Sequence, residues 1–307
     1  MKKPQIWAIG GGKGGVGKSM LSGNIGIALA QKGAQVVLID GDLGGANLHT
    51  CLGVSSPKVG LSDYILRHVP QLKDTVVSTP VPNLGLISGA KDHLTISNPK
   101  HAQKLRVLRA IQNLEADYVI LDLGASNNFN TLDFFLLADS LVIVVVPEPT
   151  SIENAYRFIK SAFYRQVRQN SPTSSIRTVV DQTMERNNRF GIQTPHELLT
   201  HIRNMGEEFS EFVDQQVTAF HPKLILNQIR SNKDIRVGFA MGNACAKYFG
   251  IQLDFVGYLE YDDAVWQSIV RRQPLLAHFS QTPITSKIRD VCDNLLYGRL
   301  LESEKVL

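Results

Sequence analysis

The sequence predicts an α/β fold, a mostly parallel central sheet flanked by helices. Three observations carry that expectation. Short apolar runs alternate with helical patterns over most of the 307 residues, the rhythm of strand, helix and parallel strand. A glycine-rich loop, Gly12-Lys13-Gly14-Gly15-Val16-Gly17-Lys18-Ser19, joins the first apolar run to the first helical one. Two later runs, Gln35 to Asp40 and Tyr118 to Asp122, end in carboxylates, at the carboxyl ends of strands where ligands gather in parallel sheets.

Taken in order, strands are expected at Gln5 to Gly10, Gln35 to Asp40, Leu84 to Ser88, Tyr118 to Asp122, Leu141 to Val146, Lys223 to Gln228 and Asp254 to Leu259. Met20 to Gln31 has helical spacing. Asn98-Pro99 places a capping side chain before a proline at the first helical position, and Leu105, Leu108, Ile111 and Leu114 give the helix that follows an apolar face. Thr150 with Glu153, and Thr194 with Glu197, have capping-box spacing. Between Arg165 and Phe220 the alternation stops and the sequence becomes polar and helical. This stretch is read as a helical insertion within one domain spanning residues 1 to 307. The last helix carries Ile288, Val291, Cys292, Leu295 and Leu296 on one face, which predicts packing on the core.

Composition narrows the class. With 43% hydrophobic and 20% charged residues, the chain can bury a large core. The net charge of +4 is mild and its basic residues are dispersed, so strong nucleic-acid binding is not predicted. Cys51, Cys245 and Cys292 show no CxxC spacing, which points to a reducing cytoplasm and to neither a disulfide framework nor an iron-sulfur or zinc site. No apolar stretch approaches transmembrane length, and Met1-Lys2-Lys3-Pro4 runs into the first strand without an apolar signal region.

The loop has its own chemistry. Glycines let successive backbone N–H groups turn inward on phosphates, and the following helix adds the positive end of its dipole. Lys18 supplies a point charge to the outer phosphates and Ser19 a hydroxyl to magnesium. Lys13 cannot easily curl onto phosphates that its own backbone surrounds, so it is expected to reach outward. A cation crossing a dimer interface would neutralise charge developing on a partner's nucleotide.

Lys13-Gly14-Gly15-Val16-Gly17-Lys18-Ser19 resembles the deviant Walker A loop of the MinD/ParA ATPases, P-loop proteins of the SIMIBI type, in which the first lysine marks a nucleotide-sandwich dimer. The resemblance implies ATP and Mg2+ as cofactors, an ATP-dependent homodimer, and nucleotide contacts from Gly12 through Met20. Met20 stands where relatives usually carry a second hydroxyl residue. In Val36-Val37-Leu38-Ile39-Asp40-Gly41-Asp42, the resemblance makes Asp42 the residue that orients the attacking water and puts Asp40 near the magnesium water shell. Tyr118-Val119-Ile120-Leu121-Asp122 followed by Leu123-Gly124 resembles a Walker B strand entering switch II, so Asp122 would bind magnesium through water and Gly124 would approach the γ-phosphate. Asn227, in Leu224-Ile225-Leu226-Asn227-Gln228, matches the asparagine that reads adenine. Glu260 stands where proline is usual in the base-binding loop.

Asp40 to Gly53 and Asn130-Thr131-Leu132-Asp133-Phe134-Phe135 are most similar to the FlhG/FleN branch. That branch couples ATP-driven dimerisation to flagellar number and placement, with a GTPase or a transcription regulator as protein partner. The N-terminal extension usual in the branch is not expected here, and the acidic tail after Gly298 does not predict membrane binding. Two other classes remain open. One is a ParA-type DNA-partitioning ATPase using Arg165, Arg168, Arg271 and Arg272, and the other is a non-catalytic, nucleotide-dependent regulator.

Overall fold

A computed structural model describes residues 3–42, 45–89, 101–185 and 188–302. Eight strands are formed: β1 Gln5–Gly10, β2 Val36–Asp40, β3 Val77–Ser78, β4 Leu84–Ile87, β5 Tyr118–Asp122, β6 Ser140–Val145, β7 Pro222–Ile229 and β8 Asp254–Glu260. They lie in the order β3-β4-β2-β5-β1-β6-β7-β8. β3 is antiparallel to β4, and the other described pairings are parallel. Because β1 is central, the chain leaves it through β2 on one side and later through β6 on the other. This reversal opens a crevice at the carboxyl end of β1.

The helices are α1 Lys18–Gln31, α2 Leu48–Cys51, α3 Leu61–Ile65, α4 His101–Gln112, α5 Phe129–Leu136, α6 Pro149–Asn170, α7 Ser174–Met184, α8 Pro195–Asn204, α9 Phe209–Ala219, α10 Asn232–Ala244, α11 Asp263–Arg271, α12 Leu275–His278 and α13 Pro283–Tyr297. They cover both faces of the sheet. Alternate residues of β1 serve opposite cores: Ile6 and Ala8 join the side that includes α4 to α9, while Trp7 and Ile9 join the side of α1 and α13. Burial on both faces is why these strands read as unbroken apolar runs. The last helix packs as expected, with Ile288, Val291, Cys292 and Leu295 buried.

Several expectations need correction. Of the α4 face expected after Asn98-Pro99, Ile111 and Leu114 are buried and Leu108 packs partly buried on the core, but Leu105 is 38% exposed, and Lys104 and Val107 are buried instead. The face is rotated because Lys104 pairs with the buried Asp133, so a cation occupies a position that periodicity would give to an apolar residue. The proposed opening of this helix at Asn98-Pro99 lies outside the described residues. Thr150 does not cap α6. That helix begins at Pro149 after Glu148 and has no side-chain cap, and Thr150 Oγ1 instead accepts a hydrogen bond from Lys13 Nζ at 3.0 Å. The second box is formed: Thr194 Oγ1 accepts from Glu197 N–H at 3.2 Å, and the Glu197 carboxylate accepts from Thr194 N–H. The two residues of β3 carried no readable strand signal.

The polar stretch from Arg165 to Phe220 holds the end of α6 followed by α7, α8 and α9. These helices share the core beneath β6 and β7 through Ile176, Val180, Leu198, Ile202 and Val213. Sheet and helices therefore form one continuous packing unit here.

Candidate nucleotide site

The loop after β1 turns tightly into α1. Gly15 and Gly17 hold φ of 77° and 94°, a left-handed backbone that costs side-chain-bearing residues but not glycine. Gly17 sits at the N-cap of α1 and no side chain caps the helix. The first N–H groups, which have no intrahelical partner, are thus left for an anion, and the helix dipole favours negative charge there. Gly14, Gly15, Gly17, Lys18, Ser19 and Met20 line a cavity of about 500 Å3.

Two loop residues play other parts. A side chain at Gly12 would collide with the backbone of Asn154 on α6, so this glycine serves close packing. Val16 is buried at 1% exposure, and its carbonyl accepts from Asn227 Nδ2 at 2.8 Å.

Lys18 is 7% exposed and donates to the carbonyl of Lys13 at 2.9 Å. Burial lowers its pKa, and the charges of Asp122 and Asp42 oppose that shift. The ammonium therefore hangs over the loop with one bond to give up when phosphate arrives. Lys13 does not point freely outward. Its Nζ pairs with Glu148 Oε2 at 2.6 Å as well as with Thr150. The pair is partly exposed, with the two side chains 32% and 58% accessible, and such pairs cost little to break.

Three carboxylates approach the cavity from neighbouring strands. Asp40 and Asp122 are register partners at the ends of β2 and β5. Asp122 accepts from Ser22 Oγ at 2.9 Å and is also bonded to the Ser19 hydroxyl. Burial pushes its pKa up to about 6 against those two hydrogen bonds and the Lys18 charge. Asp40 accepts from the N–H groups of Leu48 at 3.0 Å and Asp42 at 3.2 Å. Burial, then the charge of Asp122, push it up to about 7. Asp42 lines the cavity, and its carboxylate packs on Gly124, where an added Cβ would lie 3.0 Å from Asp42 Cγ. A side chain at position 124 would displace the carboxylate that belongs beside it.

The donor set fits a magnesium ion: one hydroxyl, with buried carboxylates whose ionised forms burial disfavours. Among the described residues no group of three or more His, Cys, Asp or Glu is assembled. Magnesium accepts such a sparse protein contribution when phosphate and water complete its shell.

Asn227 reaches the cavity through an irregularity in β7. The β7–β8 register shifts between Leu226 and Ile229, and Gln228 adopts φ 57°. The extra residue of such a bulge re-aims the side chains around it. Asn227 is 2% exposed. Gln228, Tyr261, Val265, Trp266 and Ile269 also line the cavity and were not read from the sequence, since helical spacing does not say which face of α11 meets a ligand. Of the arginines held open for DNA contact, Arg165 pairs with Asp133 at 2.7 Å and Arg168 with Asp181 at 2.5 Å.

A parallel sheet with this loop at the end of its central strand defines a P-loop nucleotide-binding protein. A family model described as "ParA: NUBPL iron-transfer P-loop NTPase" matches residues 3–172, and the chain belongs to the ParA family of P-loop NTPases. It is 36% identical to the antiactivator FleN of Pseudomonas aeruginosa over 162 residues, 52% of this chain and 57% of that protein. It is 34% identical to the flagellum site-determining protein YlxH of Helicobacter pylori over 155 residues, covering 50% of this chain and 52% of that one. The matches thus span somewhat more than half the length of these relatives. The fold matches that of the septum site-determining protein MinD complexed with Mg-ADP from Pyrococcus horikoshii, with a TM-score of 0.66 at 17% identity, covering 96% of this chain and 98% of that one.

Proposed function

We propose that the chain is an ATP-hydrolysing dimerisation switch of the MinD and FlhG type. The observation that carries this reading is that Lys18, Ser19 and Asp42 line one cleft at the ends of β1 and β2, with Asp122 of β5 buried beneath it and bonded to Ser19. In this reading the loop N–H groups and Lys18 take the β- and γ-phosphates, Lys18 trading the Lys13 carbonyl for phosphate oxygen. Ser19, and Asp122 through water, would hold magnesium, with Asp40 near its water shell. Magnesium, when bound, would supply charge neutralisation to the phosphates. Asp42 orients a water for attack on the γ-phosphorus; the bond to the bridging oxygen breaks, and ADP and phosphate leave. Gly124 offers its backbone beside that water. Lys13 leaves Glu148 and crosses to the nucleotide of a second copy, so hydrolysis requires the pair.

The name of YlxH, a flagellum site-determining protein, supports a role in flagellar placement, and that of the antiactivator FleN supports a regulatory one, exerted through a protein partner such as a GTPase or a transcription regulator. We place the partner-specific surface on the helical insertion, α7 to α9. The pairing of Arg165 and Arg168 with carboxylates of their own chain favours this over DNA partitioning. Steady-state ATP turnover tests the enzymatic reading. Asp42→Ala should bind ATP yet hydrolyse it at least about 100-fold more slowly, as expected for loss of a group that positions or deprotonates the nucleophile. Turnover by the variant at the wild-type rate would overturn the role of Asp42.

A further inference from the structure

We infer that Trp266 stacks on the base of the bound nucleotide, and that this stacking, more than hydrogen bonds to the base edge, supplies affinity at the nucleoside end. The inference rests on the nucleotide reading above. The cavity that begins at Lys18 and Ser19 continues to a wall formed by Tyr261, Val265, Trp266 and Ile269. Trp266 and Ile269 are one helical turn apart on α11 and are 65% and 41% exposed. Together with Tyr261, 49% exposed, they make an apolar patch on one rim of the cleft, and such a patch marks a contact surface.

Four nearby donors are engaged, Asn227 Nδ2 through one of its two hydrogens. Tyr261 N–H donates to the Ile229 carbonyl at 2.9 Å and Val265 N–H to the Asp262 carbonyl at 3.1 Å. Ala264 N–H donates to Asp262 Oδ1 at 2.8 Å, and Asn227 Nδ2 to the Val16 carbonyl. Asn227 thus keeps its Oδ1, an acceptor suited to an exocyclic amine such as that of adenine. Ring stacking tolerates any base. Trp266 then supplies affinity while Asn227 chooses the base. Tyr261 closes the rim, its ring 4.5 Å from the Arg230 guanidinium.

The chain has two tryptophans, and Trp7 is buried at 3% exposure, so the emission present in wild type and absent from Trp266→Phe reports on Trp266. The test combines that emission with calorimetric titrations of wild type, Trp266→Ala and Trp266→Phe with Mg-ADP and with Mg-pyrophosphate, which has no base. Expected are emission changes that track Mg-ADP occupancy equally at low and high protein concentration and are absent with pyrophosphate. Trp266→Ala should bind Mg-ADP about tenfold more weakly, with pyrophosphate affinity unchanged and most of the ADP affinity restored in Trp266→Phe. Wild-type affinity for Mg-ADP in Trp266→Ala would overturn the stacking, as would an emission change that follows dimer mass instead of occupancy. A wild-type protein that binds neither ligand would overturn the nucleotide reading itself.

Discussion

Asp133 is the residue on which three helices depend. Its carboxylate, 4% exposed, accepts from Arg165, Lys104 and Gln169. Burial alone would raise its pKa, but the bonds from Arg165 and Lys104 outweigh that and hold it below the usual range. Asp133→Asn keeps the shape and removes the charge, leaving two buried cations without a counterion. Urea unfolding should register a loss of about 3–5 kcal/mol, and a loss under about 1 kcal/mol would show that the network contributes little. The pair Asp40 and Asp122 acts in the opposite sense. Both carboxylates titrate higher in the folded chain, so the native state holds their protons more tightly. That stability is full below the ordinary aspartate value near 4, is lost as pH rises to about 7, and stays lost above it. The nucleotide-free protein should therefore show this fall in denaturant midpoint between about pH 4 and 7. Asp40→Asn, which cannot ionise, should lack its share; a wild-type and variant difference that does not change with pH would contradict the assignment. The comparison also sets aside His49, whose pKa burial lowers and whose contribution runs the other way. At this scale the positions of Lys18, Ser19, Asp42 and Asp122 at the loop and strand ends were legible in the sequence, and the roles proposed for them come from the family resemblance. Glu148, which holds Lys13, and Trp266 were not, because each meets the site only through tertiary packing.

Elements were legible where chemistry is local. Strands buried on both faces announce themselves as apolar runs, and seven of them fell within about two residues of their expected ends, the usual tolerance for such boundaries. Thr194-Pro195-His196-Glu197 carries its own capping geometry, and the structure forms it. Thr194→Ala should lower stability by about 1 kcal/mol, measured as a shift in the denaturant midpoint; no shift would mean that α8 is held by its core contacts alone. Thr150 shows the limit of the same pattern. The identical spacing begins at the second residue of α6 because Pro149 already starts the helix, which frees the hydroxyl to accept from Lys13. On α4, the rotated face follows from the Lys104 to Asp133 pair, and hydrophobic periodicity is blind to an ion pair between helices. The bulge of β7 was equally hidden, since nothing in Asn227-Gln228 signals a left-handed residue inside a strand.

For the molecule as a whole, both loop lysines are tied within their own chain: Lys18 to the Lys13 carbonyl and Lys13 to Glu148. In the proposed switch each tie is one that a triphosphate and a second copy would replace, which would couple nucleotide state to association through residues 13 to 18. Switching then costs the exchange of a partly exposed ion pair and one hydrogen bond, on the order of 1–2 kcal/mol, which nucleotide binding easily exceeds. Membership of the ParA family was legible from residues 12 to 19 and the strand-end carboxylates. What the proposed partner surface would meet was not, because α7 to α9 carry no motif whose chemistry names a partner. The most direct test is the solution mass of wild type, Asp42→Ala and Lys13→Ala, each with Mg-ADP and with Mg-ATP. A dimerisation switch gives wild-type dimer with ATP alone, dimer that accumulates in Asp42→Ala, and monomer in Lys13→Ala even when nucleotide is bound. A mass independent of nucleotide, or a Lys13→Ala protein that still dimerises with ATP, would contradict it.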